Sequence, residues 1–461
     1  MTLRIKTTAS SVGRVQLPAL DGSFVPAVIL ALVLGLVTIW AVACKTSGVN
    51  PDEPSPLDGS NSAVIDWSEA AHDVFVAEEK YGNPMRAVRV LAMVHLAQHD
   101  ALAAIRPSYA TYALHERAPD ADPVAAAAVA AHDVLLAELP GQRAALATRL
   151  AQSLEPLSNG AARASGVALG RRAAQAVLQR RRGDGADTPA IVQYTPEQMQ
   201  NARPGTYLPI PPVDFIAAPG WRSVRPFGLQ SPEQFRVSPP PALDGAEYAA
   251  AFDEVKRVGS RDSTARSADQ TAYAKFWYEF SDIGWNRVAR VVAVERKLGL
   301  QATAHLFALL NVAMSDAYVA GWDSKFHYDF WRPTTAIRAA ATDRNAATAP
   351  DAEWQSEEVT PPVQDYPSTH SALGDAAAEV LAHVFGDATA FSFTSTTAPP
   401  GTGARRFRSF RQAADENADS RVQAGLHFRF ATRAGQAMGR QIGAWVVATT
   451  LQPAALAARQ R

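Results

Sequence analysis

The sequence predicts an all-α protein: two helical halves joined by a proline-rich segment that packs across the body. Three observations predict it. Alanine dominates, apolar residues recur at helical spacing through most of the chain, and runs of alternating β-branched residues are nearly absent. Helix breakers such as Gly82-Asn83-Pro84 and Leu139-Pro140-Gly141 fall between the periodic stretches.

Taken in order, residues 1–44 read as a signal or anchor segment and 45–63 as a polar tether containing PDEPSPLDGSNS. An N-terminal helical half follows over 64–200, with helices expected near 66–80, 84–105, 123–138, 141–153 and 159–182. The crossing segment, 201–243, is rich in proline yet carries Tyr207, Phe215, Trp221, Phe227 and Phe235. A free linker would not expose so many aromatics, so this stretch is expected to pack. The C-terminal half spans 244–450, with helices near 245–257, 266–280, 285–298, 301–321, 371–385 and 431–450, and 451–461 is a tail. A second irregular region, about 387–418, is rich in Thr, Ser, Pro and Gly and then in Arg, and loops this long commonly carry function.

Composition narrows the function classes. The 461 residues carry 44 Lys+Arg against 45 Asp+Glu, a net charge of −1 that argues against a general nucleic-acid binder. An apolar fraction of 47% with 19% charged residues describes a chain that buries a core. The single cysteine, Cys44, excludes an intramolecular disulfide framework, a thiolate zinc cluster and an iron–sulfur centre.

Phe24 to Ala43 is an apolar run long enough to cross a bilayer, preceded by Arg4, Lys6 and Arg14. Its end, Ala41-Val42-Ala43-Cys44, resembles a bacterial lipobox. Cleaved signal, uncleaved anchor and lipidated Cys44 all place the body outside the cytoplasm, in the periplasm or at the cell surface, free or membrane-tethered.

Three short segments of the C-terminal half carry the chemistry. In Lys325-Phe-His-Tyr-Asp-Phe-Trp-Arg332-Pro333 the two cations are seven residues apart, so a helix would put both on one face and end near Arg332. Alone, such a pair is an ordinary solvated face. In Tyr366-Pro367-Ser368-Thr369-His370, Ser368 reads as the N-cap of the next helix, whose free N–H groups and dipole favour an anion beside His370. In the third, Arg421 and His427 would point apart on one straight helix, and Gly425 offers the break that lets both reach one site.

In that order, Lys-x6-Arg-Pro, Pro-Ser-x-His and Ser-Arg-x5-His resemble the signature of the vanadium-dependent haloperoxidase and type 2 phosphatidic acid phosphatase superfamily. Trp322, Phe330-Trp331, His427-Phe-Arg-Phe430, Val94 to Ala101 and the Phe276-Trp277 to Trp285-Asn286 stretch resemble its soluble haloperoxidase branch. The resemblance implies a helical-bundle haloperoxidase fold over about residues 64–450. It also implies that Lys325, Arg332 and Arg421 neutralise a bound vanadate or phosphate, helped by Ser368 and the Thr369 N–H. His427 would be the axial partner, ligand to vanadium or nucleophile on phosphorus, and His370 the general acid/base. Three cations against a trianionic oxyanion, with an imidazole on either side of an in-line site, also make sense without the family.

Two departures stand out. Thr369 occupies a position that is commonly Gly in the family. An acid often found four residues after the axial histidine is replaced by Ala431, with Asp316 and Glu416 as candidate substitutes. That acid would orient the imidazole for attack, so its loss argues against efficient phosphatase turnover.

The His95/His99 pair has a zinc-like spacing but no third ligand in view. Arg405, Arg406, Arg408 and Arg411 read as a solvated face or an anion-attracting rim. Three functions stay open. The first is a haloperoxidase using vanadate, hydrogen peroxide and halide. The second is an acid phosphatase acting on phosphate esters with no cofactor, and the third a non-catalytic oxyanion binder. A dry pocket lined by Trp322, Phe330 and Trp331 would favour the first, and an open polar mouth the second.

Overall fold

A computed structural model describes residues 56–78, 83–200 and 202–457. The apolar run 24–43, Cys44 and most of the expected tether lie outside the described residues. Where the described chain begins it already packs: Leu57 is buried, and Asp58 takes two hydrogen bonds of 2.7 Å from Arg106. Among the described residues, no helix is long and apolar enough to cross a membrane.

The all-α expectation holds, with two-stranded ribbons as the only sheet among the described residues. The N-terminal half contains α1 (Ser62–Ala77), α2 (Pro84–Ile105), α3 (Pro123–Glu138), α4 (Arg143–Leu154) and α5 (Ala161–Arg180). Their starts follow local chemistry. Asn83 accepts from Arg86 N and Asp122 from Ala125 N, each followed by a proline whose missing N–H costs nothing there.

The C-terminal half contains α6 (Ala246–Val258), α7 (Ala268–Phe276), α8 (Ser281–Glu295), α9 (Leu300–Tyr328), α10 (Pro333–Arg338), α11 (Thr369–Phe385), α12 (Phe410–Gln423) and α13 (Arg429–Thr449). The 29-residue α9 is the spine, packing on α2 in the first half and on α11 in the second. It runs seven residues beyond its expected end at 321 and so carries Lys325. Part of the irregular region is also helical, since α12 starts at Phe410 under a Ser409 cap. Gly435, Gly439 and Gly443 let α13 lie against α11, because a Cβ on Gly435 would sit 2.1 Å from Ser368 O.

The crossing segment packs as expected at Tyr207 and Trp221, both buried. It also braces the site. Tyr207 N donates to Asp329 O and Trp331 N to Gly205 O, which fixes the stretch just before Arg332. A ribbon of β1 (Ile191–Gln193) and β2 (Phe215–Ala217) ties it to the end of the first half.

Candidate active site

One face of α9 supplies Tyr318, Trp322 and Lys325, at i, i+4 and i+7. The helix stops at Tyr328 because Asp329 turns left-handed (φ 48°). Arg332 therefore lies beyond the helix in extended backbone, as the cap of α10. The two cations converge by this chain reversal, which corrects the expectation that one helical face carries both. The third cation, Arg421, ends α12, and Gly425 (φ +76°) makes the break before α13 that turns His427 inward. No side chain fits at 425, where a Cβ would meet Gly259 O at 2.3 Å.

Lys325, Arg332, Thr369, His370, Arg421, His427 and Trp322 all line one cavity of about 760 Å³. Tyr278, Tyr318 and Val363 share its walls, and Glu69, Asp73, Arg287 and Arg290 give it a charged portion. Ser368 is not on that wall. It caps α11 from behind, its hydroxyl accepting from Ser371 Oγ at 2.9 Å. Phe330 and Trp331 also miss the cavity and pack in an apolar cluster with Phe428 and Phe430.

The cations are held by neutral acceptors. Lys325 Nζ donates to Gln364 O (2.6 Å) and Asp365 O (3.0 Å). Arg332 donates to Val363 O (2.7 Å) and Leu426 O (2.8 Å), and Arg421 to Trp277 O (3.3 Å). Burial, reinforced for Lys325 by Arg332, pushes the Lys325 ammonium well below its usual range, and burial lowers Arg421 to about 10. Burial and the same cations hold His427 well below the ordinary imidazole value; burial and Arg421 do so for His370. Both imidazoles are thus neutral at pH 7, able to offer a lone pair.

The cradle fits a tetrahedral oxyanion. Thr369 Oγ1 and Arg421 Nε are buried without a hydrogen-bond partner, and among the described residues only Asp365 comes within 4 Å of a charged nitrogen of the three basic side chains. The crowding that Thr369 threatens is relieved at Gly321 on α9, where a Cβ would come within 2.9 Å of the threonine methyl.

The candidate substitutes for the missing acid are elsewhere. Asp316 accepts from the N–H groups of Phe227, Gly228 and Leu229. Glu416 accepts from Trp277 Nε1 and Arg405, and so reaches the site only through Trp277. The carboxylate at the site is Asp365, whose Oδ1 is 2.9 Å from His427 Nδ1. Its sequence signal was slight: an acid three residues before the Ser368 cap.

The profile of the VCPO second helical-bundle domain matches residues 305–454, the stretch holding every cation and histidine of the cradle. The crystal structure of a bacterial vanadium-dependent iodoperoxidase superposes with a TM-score of 0.73 at 27% identity, covering 87% of this chain and 99% of that one. These likenesses support kinship with the vanadium haloperoxidase and type 2 phosphatidic acid phosphatase superfamily. Vanadium chloroperoxidase of Curvularia inaequalis is 29% identical over 189 residues, so the match spans about a third of that relative: 31% of its length and 35% of this chain. The apo-type bacterial vanadium-dependent chloroperoxidase, at 19% identity and a TM-score of 0.63 over 78% of this chain and 91% of that one, shares the superfamily fold.

Other motifs remain structural. His95 packs on Phe307, His99 on His305 and Tyr109, and no metal-ligating cluster occurs among the described residues. Arg405 and Arg411 pair with Glu416 and Glu379, away from the cavity.

Proposed function

We propose that this chain is an exported vanadate-dependent haloperoxidase that oxidises halide with hydrogen peroxide. The observation that carries the reading is the gathering of three buried basic side chains, Lys325, Arg332 and Arg421, with His370 and His427 on the wall of one partly apolar cavity. The residues that would hold vanadate are Lys325, Arg332, Arg421, Thr369 and, through its ring nitrogen, His427. The chemistry vanadate supplies when bound is Lewis-acid activation of hydrogen peroxide toward halide, without a change in metal oxidation state.

The protein does the rest. Lys325, Arg332 and Arg421 offset the charge of the oxyanion and fix its orientation. The N–H of Thr369 and its unpartnered hydroxyl add hydrogen bonds at the start of α11. His370, on the cavity wall beside Arg421, would be the group that takes up and returns a proton as peroxide is activated. Trp322, Tyr318, Tyr278 and Val363 exclude water from the halide's approach. Export rests on the apolar run 24–43 behind its basic start.

A second reading is favoured by the charged portion of the cavity, where Arg287 and Arg290 suit a phosphate ester. There His427 is the nucleophile and His370 the acid, then the base. One sample decides. The body from about residue 51 is titrated with orthovanadate by calorimetry and assayed for bromide oxidation by peroxide and for p-nitrophenyl phosphate hydrolysis. Vanadate that binds and switches on bromide oxidation is the expected result. Ester hydrolysis that vanadate merely inhibits makes the chain a phosphatase, and absence of vanadate binding removes both readings.

A further inference from the structure

The contacts of the His427 imidazole favour one tautomer. Arg332 NH1, a guanidinium that can only donate, lies 3.0 Å from Nε2 and 3.5 Å from Nδ1. The shorter contact makes Nε2 the better acceptor and leaves the proton of the neutral ring to Nδ1. The atom facing Nδ1, at 2.9 Å, is Asp365 Oδ1.

Asp365 is set for that position. It is fully buried, its N–H donates to Phe330 O (2.9 Å), and its own carbonyl accepts from Lys325. Its carboxylate is faced by the His427 ring, by Arg332 (3.9 Å), by Lys325 and by the Phe428 backbone. The approach to Nδ1 is short but bent, and both carboxylate oxygens are buried without a well-aligned donor.

Ala431 could not serve in its place. It is buried in the apolar cluster of Phe428, Phe430 and Tyr366, and its carbonyl accepts the Ser368 N–H at 2.9 Å. An acid at 431 would enter that cluster without a partner.

We infer that Asp365 is the positioning residue of His427, holding the proton on Nδ1 so that Nε2 meets the oxyanion with a free lone pair. The acid that the superfamily often places after the histidine is here supplied by the loop that leads to the α11 cap. The inference rests on reading His427 as the axial partner. It extends that reading by naming what gives the ring its hand.

The test compares two oxyanions on the full-length body. Vanadate forms a bond to the imidazole, whereas inorganic phosphate at equilibrium rests on the cations alone. Asp365→Asn keeps size and shape. It is expected to weaken vanadate binding by calorimetry about tenfold or more, the usual cost of losing the partner of a metal-binding histidine, and to leave phosphate affinity within about threefold. Asp365→Glu should recover part of the difference. Equal losses for both anions, or none, overturn the inference; a wild type that binds neither overturns the functional reading beneath it. Nitrogen NMR of histidine-labelled wild-type protein, with His427 assigned by difference from His427→Gln, gives an answer that needs no folded Asp365 variant. Proton on Nδ1 is expected, and proton on Nε2 ends the proposal.

Discussion

The molecule buries two groups of basic side chains and treats them in opposite ways. In the N-terminal half, Arg89 and Arg181 share one carboxylate, each within 2.8 Å of Asp184 Oδ2, and Arg181 also lies over the Phe227 ring at 3.8 Å. In the C-terminal half, Lys325 and Arg421 have no carboxylate partner among the described residues, and Arg332 reaches Asp365 only at 3.9 Å. Both groups are out of water, where an unpaired charge is costly. The first is neutralised by the chain itself and serves the fold. The second is left incomplete, and a visiting anion would complete it.

The contrast predicts that stability and oxyanion affinity can be lost separately. The largest effect is expected from Asp184→Asn, which strands the buried Arg181, leaves Arg89 with only Glu138 at 3.5 Å, and should cost about 3–5 kcal/mol in urea unfolding. Oxyanion affinity per folded molecule should not change. Burial alone would raise the Asp184 carboxyl, but Arg89 and Arg181 outweigh it and hold it below its ordinary value. Its contribution is thus present above the carboxylate range and lost as pH falls through the lowered value, so the variant should also have a flatter acid limb. A variant as stable as wild type would erase the distinction between the two groups.

Next comes Arg421→Met. One charge-assisted contact is worth about 1.5–3 kcal/mol, so vanadate affinity should fall roughly 10- to 100-fold by calorimetry. The melting temperature of the ligand-free protein should hold or rise, because a cation with no carboxylate partner is gone. A fall in melting temperature like that of Asp184→Asn would mean that Arg421 is structural.

The smallest effect concerns the space between α9 and α11. Gly321→Ala forces Thr369 toward the cavity and should cost about 1–3 kcal/mol in unfolding, with weaker oxyanion binding. Adding Thr369→Gly should restore binding. If the double variant binds no better than the single one, the two positions are not exchanging room.

Much of this was legible beforehand for identifiable reasons. Ser368 announced a helix start because capping is local chemistry, and the breaker Gly82-Asn83-Pro84 marked the boundary before α2. Lys325, Arg332, Arg421, His370 and His427 could be picked out because their order and spacing resemble a family signature. The helix α12 escaped because its sequence, FRQAADENADSRVQ, is mostly polar and follows an arginine run. The reach of α9 was underestimated at Gly321, a residue whose role is to admit Thr369 from the neighbouring helix. Asp365 and the turn at Asp329 were out of reach altogether. No periodicity relates a loop carboxylate to a histidine 62 positions later, and a left-handed aspartate leaves no trace in hydropathy.

The cavity has a division of labour that follows from its walls. Its reactive floor comes from residues 325–427, whereas His72, Asp73 and Val76 come from α1, more than two hundred residues earlier and outside the stretch that matches the superfamily profile. The walls of one cavity are therefore written in different parts of the chain. Substitutions along α1 would reshape one wall while the basic side chains and histidines of the other stay as they are.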